Sequence, residues 1–417
     1  MDPAQPPFAV PGFRREALPD PESAGEDAWL AAALRDEIAA NGPITFARFM
    51  ERALYEPGHG YYRRPEAGPG RAAGDFLTAP EAHPIFGAAI GRLLEQAWDA
   101  LGCPATFTVT EPGAGTGALA AGLLGGLRDL GSPLYEAIRY RPVEVEPARL
   151  DALRERLAAA GLADRLADRL APGAVDAPDA QPDDATEIGA VVANEVLDAL
   201  PVHRVVGRPD GLRELLVTID DAGAFAWLEA EPTTQALAAR LAAEGVTLPD
   251  GLVTEVCLAI DAWLADATRH LARGPVILVD YAAEPGDLHG PSRPTGTLRA
   301  FARHAVGADP FRNIGRADLT ATVDLAAVRA AATKAGLEPI GETTQAELLA
   351  RAGTTNLTDA YLRRPGATLQ DALDLRSALA RLMDPRGMGG FRVLAFGRGL
   401  PAGLRLPALE RFVRPGA

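Results

Sequence analysis

Asn194, Glu195 and Asp198 stand directly behind an apolar run in AVVANEVLDALPVHRVV, with Pro201 close after them. Apolar residues running into a polar cluster read as a buried strand that delivers the cluster at its carboxyl end. Two carboxylates placed there can grip a cationic or amine-bearing group through charge-assisted bonds. A capping Asn and Asp ahead of a helix would account for the same residues without any chemistry.

A second stretch, TVTEPGAGTGALAAGLL, carries the other half of a site. It reads as a strand tail, a glycine turn and the start of a small-residue helix. Gly113-x-Gly115-x-x-Ala118 satisfies a dinucleotide fingerprint, in which alanine is tolerated last. Gly113-x-Gly115-x-Gly117 with Glu111 ahead of it fits S-adenosylmethionine better. That molecule carries an ammonium and a sulfonium but no phosphate, so a nearby acid attracts it and would repel a pyrophosphate. No Gly-Lys-Ser/Thr follows, which excludes a Walker-type phosphate loop. A tight turn with no ligand is the third reading. In YRPVEVEPARLDALRERL, Glu144 and Glu146 end the next strand, where an acid can accept from both ribose hydroxyls of either cofactor. With S-adenosylmethionine present, the acids at 194–198 would hold the methyl acceptor in line with the methyl group.

These motifs need elements to hold them. Strand-like runs at 106–110, 142–145, 188–193, 276–279 and 391–396, the first of them separated by helical patterns such as 150–157, predict an α/β fold with a mostly parallel sheet. Ahead of them, helical spacing covers 28–38, and Thr45 can cap a helix to Leu54. The glycine-, proline- and tyrosine-rich stretch 55–81 reads as a lid that closes over a ligand. Between 201 and 273 a predicted hairpin (212–219 and 225–228) and helices at 234–244 and 258–271 interrupt the rhythm. The organisation expected is a tail at 1–27, a helical and lid segment at 28–105, a core at 106–205, an inserted subdomain at 206–273 and the rest of the core at 274–417.

Bulk properties exclude other classes. In 417 residues, 47% hydrophobic content is ample for a large core. A net charge of −15 argues against nucleic acid or an anionic membrane as partner. Cys103 and Cys257 are too few and too far apart for a disulfide framework. No apolar run approaches a membrane span, and the acidic N-terminus has no apolar targeting region, so a cytoplasmic location is expected.

Taken together, GDFLTAPE (74–81) with Phe86-Gly87, EPGAGTG (111–117), ANEVLDALPVHRV (193–205), LVDY (278–281), and GTLRAF (296–301) with His304 and ADLTATVDL (317–325) resemble the MidA family. The resemblance runs in order from about residue 42 to the final strand. That family implies a Rossmann-like, seven-stranded class I S-adenosylmethionine-dependent methyltransferase sheet with an N-terminal helical segment and an inserted helical and hairpin subdomain. Its mitochondrial member assists complex I assembly by dimethylating an arginine. By position the family implies cofactor contacts from Gly113, Gly115, Gly117 and Glu144. The loop carrying Asp75, Thr78, Pro80 and Glu81 lies nearby, and Asn194, Glu195 and Asp198 fall in the family's acidic stretch. Asn194 and Glu111 complete the expected cofactor set.

Departures sit mainly on the acceptor side: Val196 and Leu197 replace an aromatic pair, Thr322 replaces a histidine, and Glu146-Pro147 replaces Ser-Pro. The expected function is methyl transfer to a protein arginine. The alternatives are a non-catalytic or differently targeted assembly factor and a small-molecule methyltransferase. A protein substrate is the expected partner, and a homodimer is compatible with the sequence. His59, His83, His203 and His304 could act as bases, but no pair has metal-ligand spacing, so no metal site is expected. Tyr61 and Tyr62 could pack beside the acceptor or adenine, although plain aromatic packing is the default.

Overall fold

Strand order, more than any motif, decides where a ligand can sit in this chain. The computed structural model describes residues 25–64, 77–167, 186–302, 305–401 and 403–409. The central sheet runs, edge to edge, Glu338–Thr344, Arg392–Arg398, Leu271–Asp280, Glu187–Asn194, Phe107–Pro112 and Ile138–Val143. Pairing is parallel from Leu271–Asp280 to Ile138–Val143, and Arg392–Arg398 runs antiparallel to both of its neighbours. Helices cover both faces, so the inner strands are buried on both sides and read as unbroken apolar runs: Val191, Val192 and Ala193 are buried, as are Val276 to Val279.

Phe107–Pro112 has its sequence successor on one side and Glu187–Asn194 on the other. The strand order reverses there, which leaves a crevice at the carboxyl ends of these two strands. This sheet has six strands among the described residues. At the edge Tyr140 makes an isolated parallel bridge to Leu166, and 168–185 lies outside the described residues.

The helix behind the glycine turn, Ala118–Asp129, packs on Ile85–Ala100 at very short range. A Cβ on Gly87 would come 2.6 Å from the Leu123 backbone nitrogen, and one on Gly122 2.7 Å from the Pro84 carbonyl oxygen. Only glycines permit that approach, and it anchors the turn to the core.

The inserted region builds a second sheet, antiparallel throughout. Gly211–Ile219 pairs along one edge with Phe225–Ala230, the predicted hairpin. Its other edge takes His203–Arg208, then Ile44–Thr45 where that strand stops, and Val253–Val256 lies beyond His203–Arg208. The N-terminal segment therefore shares a core with the insertion. Phe46 meets Trp227 at 5.2 Å, and Phe311 lies 5.3 Å from Phe49 and 4.9 Å from Trp227 between ring centres. Thr45 does cap the second helix, Phe46–Tyr55, its hydroxyl accepting from Arg48 N at 3.1 Å.

Several boundaries differ from the sequence expectation, two of them beside the site or the insertion. The strand expected at 142–145 is Ile138–Val143, so Glu144 is the first residue beyond it. The helix expected at 258–271 is Ile260–Ala267, and Leu271 already begins a strand. The helix stops at its C-cap Thr268, and the strand that follows packs so closely that a Cβ on Gly274 would lie 1.7 Å from the Gly189 carbonyl oxygen of the neighbouring strand.

Candidate active site

The chain leaves Phe107–Pro112 through a turn in which Gly113, Gly115 and Gly117 have φ of 69°, 52° and 81°. These are left-handed conformations that glycine adopts without steric cost. The three differ in what surrounds them. A Cβ on Gly113 would lie 2.7 Å from Val196 Cγ2, and one on Gly117 2.6 Å from Leu153 Cγ, whereas one on Gly115 meets nothing within 4 Å. Gly113 and Gly117 serve close packing, and Gly115 faces open space.

Four amides of this turn are already used. Gly113 N and Ala114 N donate to the Val143 carbonyl at 2.9 and 3.2 Å, and Gly117 N to the Ala114 carbonyl at 3.0 Å. Gly115 N donates to Glu144 Oε2 at 2.8 Å. A phosphate-binding turn needs such amides free. Here a carboxylate takes the central one, which disfavours the dinucleotide reading and fits a cofactor without phosphate. Glu144 also accepts from Val145 N and Glu146 N, at 2.8 and 3.2 Å, and Arg149 Nη1 stands 3.6 Å away. It is thereby fixed at the strand end, where its oxygens can still accept from hydroxyls.

The turn opens on a cavity of about 1050 Å³. Glu111, Gly113, Gly115, Glu144, Asn194 and Glu195 line it, with Thr78, Pro80 and Glu81 opposite the turn. Glu81 Oε1 accepts from Thr116 Oγ1 at 3.0 Å and from Arg156 at 3.1 Å, which clasps the short helix Ala79–Ala82 to the glycine turn. Asp75 lies outside the described residues.

Glu195 has φ of 52°, strained for a side chain with a Cβ. Its Oε1 accepts from Ala79 N at 3.1 Å and from Asn194 Nδ2 at 3.0 Å. Burial pushes its carboxyl up, the Ala79 amide opposes this, the charge of Asp198 adds to it, and the result is about 7. Asn194 Oδ1 is buried with no hydrogen-bond partner. Glu111 accepts from Tyr140 Oη at 2.7 Å, and burial pushes it up to about 8. The hydrogen-bond partners of these acids are amides and a tyrosine, not cations. Arginines line other parts of the cavity, but beside these two acids it suits a ligand that brings its own positive charge.

Asp198 does not line the cavity. The turn Leu197–Ala199 directs its carboxylate onto the Tyr281 hydroxyl, and burial pushes it up to about 6. Tyr61 is fully buried, and Tyr62 reaches the cavity while its hydroxyl donates to Asp318 Oδ1 at 2.8 Å. His59 pairs with Asp27 at 3.1 Å, His83 Nδ1 accepts from Ile85 N at 3.1 Å, and His203 meets Glu214 at 2.7 Å. None of these three lines the cavity, and His304 lies outside the described residues.

Asp280 is the residue that motif reading left without a role. Its Oδ2 accepts from the amides of Val196, Leu197 and Asp198 at 3.2, 2.9 and 3.3 Å, and Oδ1 from Tyr281 N at 2.9 Å. One buried carboxylate thus shapes the turn that presents Asn194 and Glu195. The available signal was an acid closing the apolar run of LVDY. Asp280→Ala would strand four donors, two of them fully buried, and its thermal unfolding is expected to show a loss on the order of 3 kcal/mol or more. An unchanged melting temperature would remove Asp280 from this role.

A mostly parallel sheet with its crevice at the order reversal, a glycine turn whose central amide is held by a carboxylate, and a cavity into which Glu111 and Glu195 bring buried carboxyls define an α/β S-adenosylmethionine-dependent methyltransferase. A family model described as "Putative S-adenosyl-L-methionine-dependent methyltransferase" matches residues 89–343, and the chain belongs to this family, the MidA family that its motifs resemble. A crystal structure of a superfamily member from Burkholderia thailandensis, bound to S-adenosyl-homocysteine, is 38% identical with a TM-score of 0.81, over 98% of this chain and 99% of that one. The mitochondrial protein arginine methyltransferase NDUFAF7 of Xenopus tropicalis is 29% identical over 331 residues, 76% of this chain and 74% of the relative. The Drosophila melanogaster homologue is 29% identical over 403 residues, 89% of this chain and 86% of the relative. The cofactor is S-adenosyl-L-methionine.

Proposed function

We propose that the chain methylates an arginine side chain of a protein substrate. Bound S-adenosylmethionine supplies the electrophilic methyl group. The observation that carries the acceptor assignment is the pairing of Glu195, a carboxyl held near neutrality, with the unpartnered Asn194 Oδ1 on one wall of the cavity. A guanidinium presents several N–H donors in a plane and finds acceptors in both groups. Glu195 is also placed to take up the proton that the attacking nitrogen sheds, since its affinity for protons is matched to neutral pH. Asp280 and Asp198 act behind it, by setting the turn and the position of Tyr281. The names of the mitochondrial relatives support the arginine reading. Incubating a cell extract with the enzyme and methyl-labelled S-adenosylmethionine, followed by mass spectrometry for methylated arginine, tests it. Label found only on small molecules or on other side chains would overturn it.

On the cofactor side, Glu111 is proposed to face the ammonium group. A cation beside Glu111 lowers its pKa from about 8, so the complex holds fewer protons than the free protein at neutral pH. Affinity for S-adenosyl-homocysteine should therefore rise with pH up to about 8 and then level off. Titration calorimetry in buffers of different ionisation enthalpy should detect proton release at pH 7. Glu111→Gln should flatten the pH dependence, and an equal slope in that variant would assign the proton to another group.

A further inference from the structure

Away from the cavity, three ligand-type side chains from separate elements meet inside the fold. Glu244 follows the helix Gln235–Ala243, His289 follows Pro285–Leu288, and Asp324 caps the start of Leu325–Lys334. One ligand atom of each lies within 4.8 Å of the other two, and none of the three lines the cofactor cavity. The His289 and Glu244 side chains are 2% and 5% exposed. His289 Nε2 is 3.3 Å from Asp324 Oδ2 and 3.7 Å from Glu244 Oε2.

Those separations are long for charge-assisted hydrogen bonds, which close to about 2.7–2.9 Å. Both carboxylate oxygens of Glu244 are buried without a hydrogen-bond partner, and the ion pair to His289 at 3.7 Å is too long to offset that burial well. Ligands held at roughly 2.0–2.2 Å by a tetrahedral metal ion stand about 3.3–3.6 Å apart, close to the two separations from His289. The outer groups fit as well. His289 Nδ1 lies 2.7 Å from Thr254 Oγ1, a partner that orients the ring and turns Nε2 to the cluster. Asp324 spends Oδ1 on the amides of Ala326 and Ala327, at 2.8 and 3.2 Å, and keeps Oδ2 for the cluster.

We infer that Glu244, His289 and Asp324 bind one divalent first-row transition cation of the zinc or manganese class. One imidazole nitrogen with two carboxylate oxygens is a donor set suited to such ions, whereas calcium takes six or more oxygens. The ion ties the insertion, which supplies Glu244 and Thr254, to the loop behind the strand Leu271–Asp280 and to the helix that follows the sheet. No sequence spacing marks the site, because its ligands are spread from 244 to 324. The site stabilises the docking of the insertion and takes no part in methyl transfer.

The test uses the full chain, treated with a chelator, dialysed and titrated separately with Zn²⁺ and Mn²⁺. One ion per chain and a raised melting temperature are expected for at least one of the two. Glu244→Gln, which keeps the shape of the side chain, and His289→Gln should each weaken binding by about 100-fold or more while S-adenosyl-homocysteine binds as in the wild type. Should His289→Gln fail to fold, Glu244→Gln decides alone. Failure of both ions to bind stoichiometrically, or wild-type affinity in Glu244→Gln, would overturn the inference. So would a Glu244→Gln variant that is more stable than a wild type unresponsive to either ion, since the cluster would then be a proton-holding group.

Discussion

Gly115→Val is expected to abolish binding of S-adenosyl-homocysteine while the protein still folds. The Cβ direction at Gly115 leads into open space in the cavity, so a branched side chain there occupies volume that the ligand needs. Its φ of 52° adds strain for valine, a cost of about 1–3 kcal/mol. That is a drop in melting temperature, not a loss of fold, in a chain of this size. Gly113→Ala and Gly117→Ala make the contrast. Their Cβ atoms would meet Val196 and Leu153 at 2.7 and 2.6 Å, so these two should lose stability first and affinity only as a consequence. Calorimetric titration with thermal melts on all three variants separates the cases. Wild-type affinity in Gly115→Val would remove the glycine turn from the cofactor site.

What could be read from the sequence and what could not divide along a physical line. The glycine turn, the Glu144 position and the Asn194-Glu195 pair announce themselves because strand, turn and ligand contact lie within a few consecutive residues. Asp280 lies more than eighty residues from the three amides of 196–198 that it holds, and only the register between Glu187–Asn194 and Leu271–Asp280 brings them together. The same applies to Tyr140 beneath Glu111, which depends on the pairing of two neighbouring strands. Asp198 shows the converse. Its place in the motif suggested an acceptor contact, but a tight turn aims its side chain at Tyr281. Tyr61 carries an aromatic ring suited to a lid and spends it in the core shared by the N-terminal segment and the insertion. That shared core was illegible because the two-residue strand Ile44–Thr45 has too little pattern to declare its partner at Leu216 and Val217.

Glu195→Gln should bind S-adenosyl-homocysteine as the wild type does and lose most of its methyl transfer. The amide keeps the volume and can still accept from Ala79 N and Asn194 Nδ2 through its oxygen, so the strained backbone at 195 has no new reason to move. What disappears is the ionisable group, pushed by burial to about 7, that can hold a guanidinium and receive its proton. Losing one charge-assisted bond of about 1.5–3 kcal/mol slows turnover by roughly one to two decades. The pH profile supplies an independent readout. In the wild type the carboxyl must be ionised to act, so kcat/KM should climb as pH rises through about 7 and level off above it. In Glu195→Gln that limb should vanish, leaving a low rate independent of pH in this window. A matching fall in cofactor affinity would place Glu195 in the cofactor site instead. An unchanged rate with the limb intact would leave the carboxyl as a prop for the helix Ala79–Ala82, and the acceptor would then need no anion beside it.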